Sequence, residues 1–159
     1  MKRLLTTVML ALAMMLVPIG ASAARIPGAT HGGAPFSVTL APSVSDSTGS
    51  GNARLTINPG LEEVCWDIHV TGLTTPVIAS HIHKILSNGN GPVVVPFFNF
   101  TTPSTASEFV GCSRNNAINI TGSERSLLKA IIADPAGFYV NVHTTKHPGG
   151  EVRGGLVGP

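Results

Sequence analysis

The chain predicts an all-β domain, an antiparallel sandwich or barrel of seven or eight short strands with one short helix. Three observations carry this. Stretches of alternating apolar and polar residues recur along the chain, turn-forming clusters separate them, and only one stretch has apolar residues at helical spacing. The 18 Gly and 12 Pro suit many short strands joined by turns, and 159 residues suit one domain.

The strand candidates run in order. Phe36-Ser37-Val38-Thr39-Leu40 and Ala53-Arg54-Leu55-Thr56-Ile57 alternate, with a Ser/Gly-rich loop between them and Asn58-Pro59-Gly60 as a turn after the second. Glu63 to Val70 puts Trp66, Ile68 and Val70 on one face and Cys65, Asp67 and His69 on the other. Ile78 to Leu86 follows, then the hairpin-type turn Asn88-Gly89-Asn90-Gly91, then the apolar run Pro92 to Phe100 and the short Glu108 to Cys112. Thr121 and Glu124 have capping-box spacing ahead of Leu127, Leu128, Ile131 and Ile132, which predicts a helix ending at Asp134-Pro135. Phe138 to Thr144 and Glu151 to Val157 close the sheet across the turn His147-Pro148-Gly149-Gly150.

Residues 1–23 read as a secretory signal peptide. Lys2 and Arg3 are the positive end, Leu4 to Val17 the apolar run, and Ala21-Ser22-Ala23 the small residues a signal peptidase accepts. The alternative, an uncleaved anchor, needs about 20 apolar residues, more than this run supplies. Residues 24–34 are expected as a flexible arm and residues 35–159 as the domain. The expected location is secreted, periplasmic or on the cell envelope, with no transmembrane segment left after cleavage.

Without the leader, eight of the ten Lys and Arg remain against eight Asp and Glu. A near-neutral domain with no basic, aromatic-interleaved patch lacks the electrostatic footprint of nucleic-acid binding. Two cysteines in an exported chain, Cys65 and Cys112, most simply form one disulfide; the alternative is a pair of buried thiols. The bridge would close a loop of about 47 residues, for which chain entropy gives roughly 4 kcal/mol as an upper figure.

Six histidines carry the chemistry: His31, His69, His81, His83, His143 and His147. His81-Ile82-His83 places two imidazoles on one strand face, about 6.6 Å apart along it. If the strand of His143 lies alongside, three imidazoles converge, a set suited to Zn²⁺ or Cu²⁺ with one position open. Each ligating imidazole also needs an acceptor on its other nitrogen, and by chemistry alone Asp67, Asn141 and Glu151 qualify. The competing reading is that these histidines hydrogen-bond at strand ends or lie on a solvated face. No Ser/His/Asp order, phosphate loop or placed carboxylate pair points to catalysis. Glu151 and Arg153 share a strand face and are expected to pair across it. Asn99-Phe100-Thr101 and Asn119-Ile120-Thr121 fit the glycosylation sequon.

Three stretches resemble the CHRD domain, named after chordin and found in many secreted bacterial proteins. They are Ala79-Ser80-His81-Ile82-His83, then Asn88-Gly89-Asn90-Gly91-Pro92-Val93-Val94, then Phe138-Tyr139-Val140-Asn141-Val142-His143-Thr144 leading into Pro148-Gly149-Gly150-Glu151-Val152-Arg153-Gly154. Val152 stands where the family usually has Ile. The resemblance spans Pro35 to Val157 and implies an immunoglobulin-like, Greek-key β-fold and a module of undefined biochemical role.

A more distant similarity is to copper/zinc superoxide dismutase, a Greek-key sandwich with a His-x-His strand and a later strand His on its copper. By that similarity His81, His83 and His143 would be copper-type ligands. The short Lys84–Pro92 interval has no room for the zinc-binding loop of that enzyme, which argues against dismutase chemistry. Two readings follow. One is a non-enzymatic extracellular or envelope module that binds a protein or polymer or serves a structural role. The other is a histidine-based copper or zinc protein, metal-binding or redox.

Overall fold

Every alternating stretch forms a strand whose apolar side faces one core. The structure is a computed structural model that describes residues 26–114 and 124–158. The strands are β1 (Ala34–Pro42), β2 (Ser50–Asn58), β3 (Glu63–Thr71), β4 (Val77–Lys84), β5 (Val93–Ser104), β6 (Glu108–Arg114), β7 (Phe138–Thr144) and β8 (Val152–Gly155). One helix, α1 (Glu124–Ala133), precedes a 3-10 turn at Pro135–Gly137. The leader, the Thr121 cap and the Asn119 sequon fall outside the described residues.

All eight strands form one antiparallel sheet in the order β5-β4-β7-β8-β1-β2-β3-β6. The sheet curls until its edge strands meet through aromatic side chains. Phe109 of β6 stacks on Phe98 of β5 at 5.0 Å and sits 5.8 Å from Phe100. This makes a nearly closed all-β barrel. Its interior is filled by the alternating positions: Phe36, Val38 and Leu40 from β1, Leu55 and Ile57 from β2, Trp66 and Ile68 from β3, and Val140 and Val142 from β7. Each fully buried Leu or Ile among them contributes about 1.5–3 kcal/mol. The helix adds Leu128 and Ile131 to the same core, as its spacing predicts.

The Cys65–Cys112 disulfide is formed between directly opposed residues of β3 and β6. Their Cα atoms are 4.0 Å apart, closer than most bridged pairs, because facing residues of an antiparallel ladder approach to about 4.5 Å before any bridge is made. The segment expected as a loose arm packs over this bridge in its described part. Ile26 and Ala29 are buried against Cys65, and the Asn58 amide donates to the carbonyls of His31 and Gly32.

Glu151 does not pair with Arg153. It lies just before β8, fully buried, and its carboxylate accepts from Ser47 Oγ (2.7 Å), Thr74 N (2.7 Å), Thr74 Oγ1 (2.9 Å) and Thr144 Oγ1 (2.7 Å). Arg153 points the other way, donating to Asn90 Oδ1 at 3.1 Å and lying over the Tyr139 ring. A buried carboxylate is tolerated here because its lone pairs are filled by donors from three separate segments.

Burial alone would raise the Glu151 pKa, but bonds from Ser47, Thr144 and Thr74 outweigh it and hold the carboxyl below its ordinary value near 4.5. A depressed pKa stabilises the fold above the unfolded value, and that stability is lost as pH falls through the folded one. Glu151→Gln is expected to cost about 2 kcal/mol at pH 7. Urea unfolding of the variant should lose less stability than the native chain between pH 5 and pH 3; equal losses would contradict this role.

Candidate metal centre

The β4–β7 ladder sets the site. Its register places Ala79 opposite His143, His81 opposite Asn141 and His83 opposite Tyr139. Period-two alternation then turns Ile82, Val140 and Val142 into the core and His81, His83, Tyr139, Asn141 and His143 to the other face. Residues 62 apart in sequence become neighbours. His81 Nδ1 lies 3.1 Å from His143 Nε2, and the ligating nitrogens of His81, His83 and His143 all lie within 4.8 Å of one another. One point therefore lies within about 2.8 Å of all three, against zinc–nitrogen bonds of about 2.0–2.1 Å.

Two turns fix the rings. His83 Nδ1 donates to the Gly91 carbonyl at 2.9 Å, and His143 Nδ1 donates to the Pro148 carbonyl at 2.9 Å. A carbonyl only accepts, so both rings carry a proton on Nδ1, which leaves Nε2 as the ligating nitrogen of the neutral tautomer. His83 Nε2 is buried and has no hydrogen-bond partner. His83 also stacks on Tyr139 at 4.9 Å, nearly parallel. Glycine is needed in both turns. A Cβ on Gly91 would sit 1.7 Å from the Lys84 carbonyl oxygen. Gly150 has φ +113, and a Cβ there would meet the Asn141 amide at 2.2–2.5 Å.

Of the three residues the sequence offered as imidazole acceptors, none accepts from a site histidine. Asn141 stands opposite His81 on β7, but its Nδ2 donates to the Gly149 carbonyl at 3.2 Å and so ties down the turn that carries Pro148. Glu151 clamps the other end of that turn. Asp67 is on β3, ion-paired with Arg54. The acceptors are backbone carbonyls, which carry no residue-type signal; the Gly-rich turns at 88–91 and 148–150 were the available hint. His147 sits near Asp46 (Nε2 to Oδ1 3.4 Å) and His31 contacts Thr30 and Arg114; neither joins the cluster.

The family model of the CHRD domain matches residues 36–156. The chain belongs to the CHRD family. The match runs from β1 to the end of β8, so the barrel and the histidine face are both parts of the CHRD domain. No curated protein and no solved structure matches the chain. Among the described residues, no helix is long and apolar enough to cross a membrane.

Electrostatics favours the neutral form of the His81 and His143 rings. Burial, then the nearby His143 and His83, lowers the His81 pKa to about 4. Burial also lowers that of His143, partly offset by its bond to Pro148. In the CHRD domain of this chain the cluster therefore offers nitrogen lone pairs at neutral pH without first shedding a charge. The single proton between His81 Nδ1 and His143 Nε2 is the one a metal ion would displace.

The sign of the pH effect follows. Both groups bind protons more readily in the unfolded chain, so acid favours unfolding below pH 6.5. The metal-free domain should lose stability between pH 6.5 and pH 4, and His81→Gln should flatten that loss. An unchanged slope in denaturant titrations across this range would contradict the buried, neutral ring.

Proposed function

We infer that this CHRD domain is an extracytoplasmic metal-binding module that holds one copper or zinc ion through His81 Nδ1, His83 Nε2 and His143 Nε2. The observation that carries the reading is the convergence of the three imidazoles, whose ligating nitrogens lie within 4.8 Å of one another while the Nδ1 atoms of His83 and His143 are taken up by the Gly91 and Pro148 carbonyls. Three imidazoles suit the borderline ions Cu²⁺ and Zn²⁺, and the lowered pKa values of His81 and His143 favour their unprotonated rings. The buried, unpaired His83 Nε2 is an unsatisfied acceptor that a metal would satisfy.

Copper is favoured by the order of the ligands along the chain, His-x-His followed by a later strand His, which resembles the copper ligand set of superoxide dismutase. Three protein ligands leave a position for water or a partner's ligand, so the domain could store or deliver the ion without catalysing a reaction. Export is supported by the leader-like residues 1–23 and by the disulfide, which persists in oxidising compartments.

The test is Cu²⁺ titration of the mature protein followed by electron paramagnetic resonance. The tightest equivalent should show coupling to several nitrogens, and His81→Ala/His83→Ala should lose it while keeping its circular dichroism. Retention of the same signal by the folded double variant would refute the site.

A further inference from the structure

A second set of ligands lies on the outer side of β2, β3 and β6, four strands away from β7 in the sheet order. Asp67 and His69 are two residues apart on β3 and share a face. The ladders place Arg54 opposite Asp67 and Glu108 opposite His69. Asp67 is 3% exposed, with Oδ2 paired to Arg54. Its Oδ1 lies 2.8 Å from His69 Nε2, and Glu108 Oε1 lies 4.0 Å from the same nitrogen.

Asp67 Oδ1 is buried, and its neighbour is the His69 ring nitrogen 2.8 Å away, an ion-pair contact in which a metal ion could take the place of the proton. For bonds of about 2.0–2.2 Å, an N···O separation near 2.8 Å corresponds to a ligand–metal–ligand angle of roughly 90°. The three ligand atoms all lie within 4.8 Å of one another, and Glu108, with its side chain 59% exposed, is free to close the remaining gap.

We propose that Asp67 Oδ1, His69 Nε2 and Glu108 Oε1 form a second divalent-cation site, of the one-nitrogen, two-oxygen kind that takes Zn²⁺, with water completing the coordination. Arg54 anchors the Asp67 carboxylate in position and offsets one of the two negative charges. That makes this the weaker site of the two and lets Zn²⁺ exchange with solvent. It does not depend on the histidine centre and shares no residue with it.

Equilibrium dialysis against Zn²⁺ at pH 7.5, with circular dichroism as a folding check, separates the two sites. The native protein should bind two equivalents. His81→Ala/His83→Ala should keep one, and adding His69→Ala should remove it. Glu108→Gln, an exposed change that leaves the fold intact, should weaken that equivalent at least tenfold. If the folded His81→Ala/His83→Ala variant binds no zinc, or if neither His69→Ala nor Glu108→Gln alters the retained equivalent, this second site is wrong. The first result would leave the histidine centre standing. Loss of zinc on His69→Ala alone, with none lost on His81→Ala/His83→Ala, would instead support this site and remove the other.

Discussion

The register of β4 against β7 is the constraint on which the site depends. It is fixed from the inside, because Ile82 opposite Val140 must stay in the core. A slip of one residue would turn the apolar set outward and the imidazoles into the barrel. The core that stabilises the fold therefore also sets the spacing of His81, His83 and His143, with no separate scaffold needed. β4 accommodates this by irregular pairing with β5 on its other side, where the register shifts between Ser80 and His81 and again between Ile82 and His83. Such bulges re-aim side chains next to sites.

Around that ladder, two turns convert proximity into orientation. The Gly91 and Pro148 carbonyls choose the tautomer of His83 and His143. The second turn is held at three points: Asn141 ties Gly149, Ser43 Oγ donates to the Gly150 carbonyl, and Glu151 binds donors from three segments. The run Pro148-Gly149-Gly150-Glu151 thus has a physical meaning beyond family resemblance. Its carbonyl fixes a ring, its glycine makes room for an amide, and its carboxylate fastens the end of the turn to the barrel. Metal ligands commonly rely on such outer partners as heavily as on the ligating atoms themselves.

Much of the fold was legible in the sequence because the information was local. Alternation of the kind in Phe36–Leu40 reports burial directly, and Leu127, Leu128, Ile131 and Ile132 report a helix by their spacing. His-Ile-His was legible for the same reason. What the residues could not disclose depended on backbone atoms and on three-dimensional neighbours. The imidazole acceptors are carbonyls, so Asp67, Asn141 and Glu151 were reasonable by side-chain chemistry and differently employed in the structure. Glu151 and Arg153 share spacing but not surroundings: one faces Ser47, Thr74 and Thr144, the other Asn90 and Tyr139. Residues 26–33 read as an arm because Gly and polar residues dominate them, and the contact of Ile26 and Ala29 with Cys65 is a three-dimensional neighbourhood that no local pattern reports.

The bridge between fold and chemistry is a short geometric statement about three nitrogens, and crystallography with anomalous scattering from a loaded metal measures it directly. A single anomalous peak about 2.0–2.1 Å from His81 Nδ1, His83 Nε2 and His143 Nε2, with the Gly91 and Pro148 carbonyls still bonded to the two Nδ1 atoms, is the expected result. A metal seated elsewhere on the β4–β7 face, or the three rings turned away from one another in the loaded protein, would contradict it.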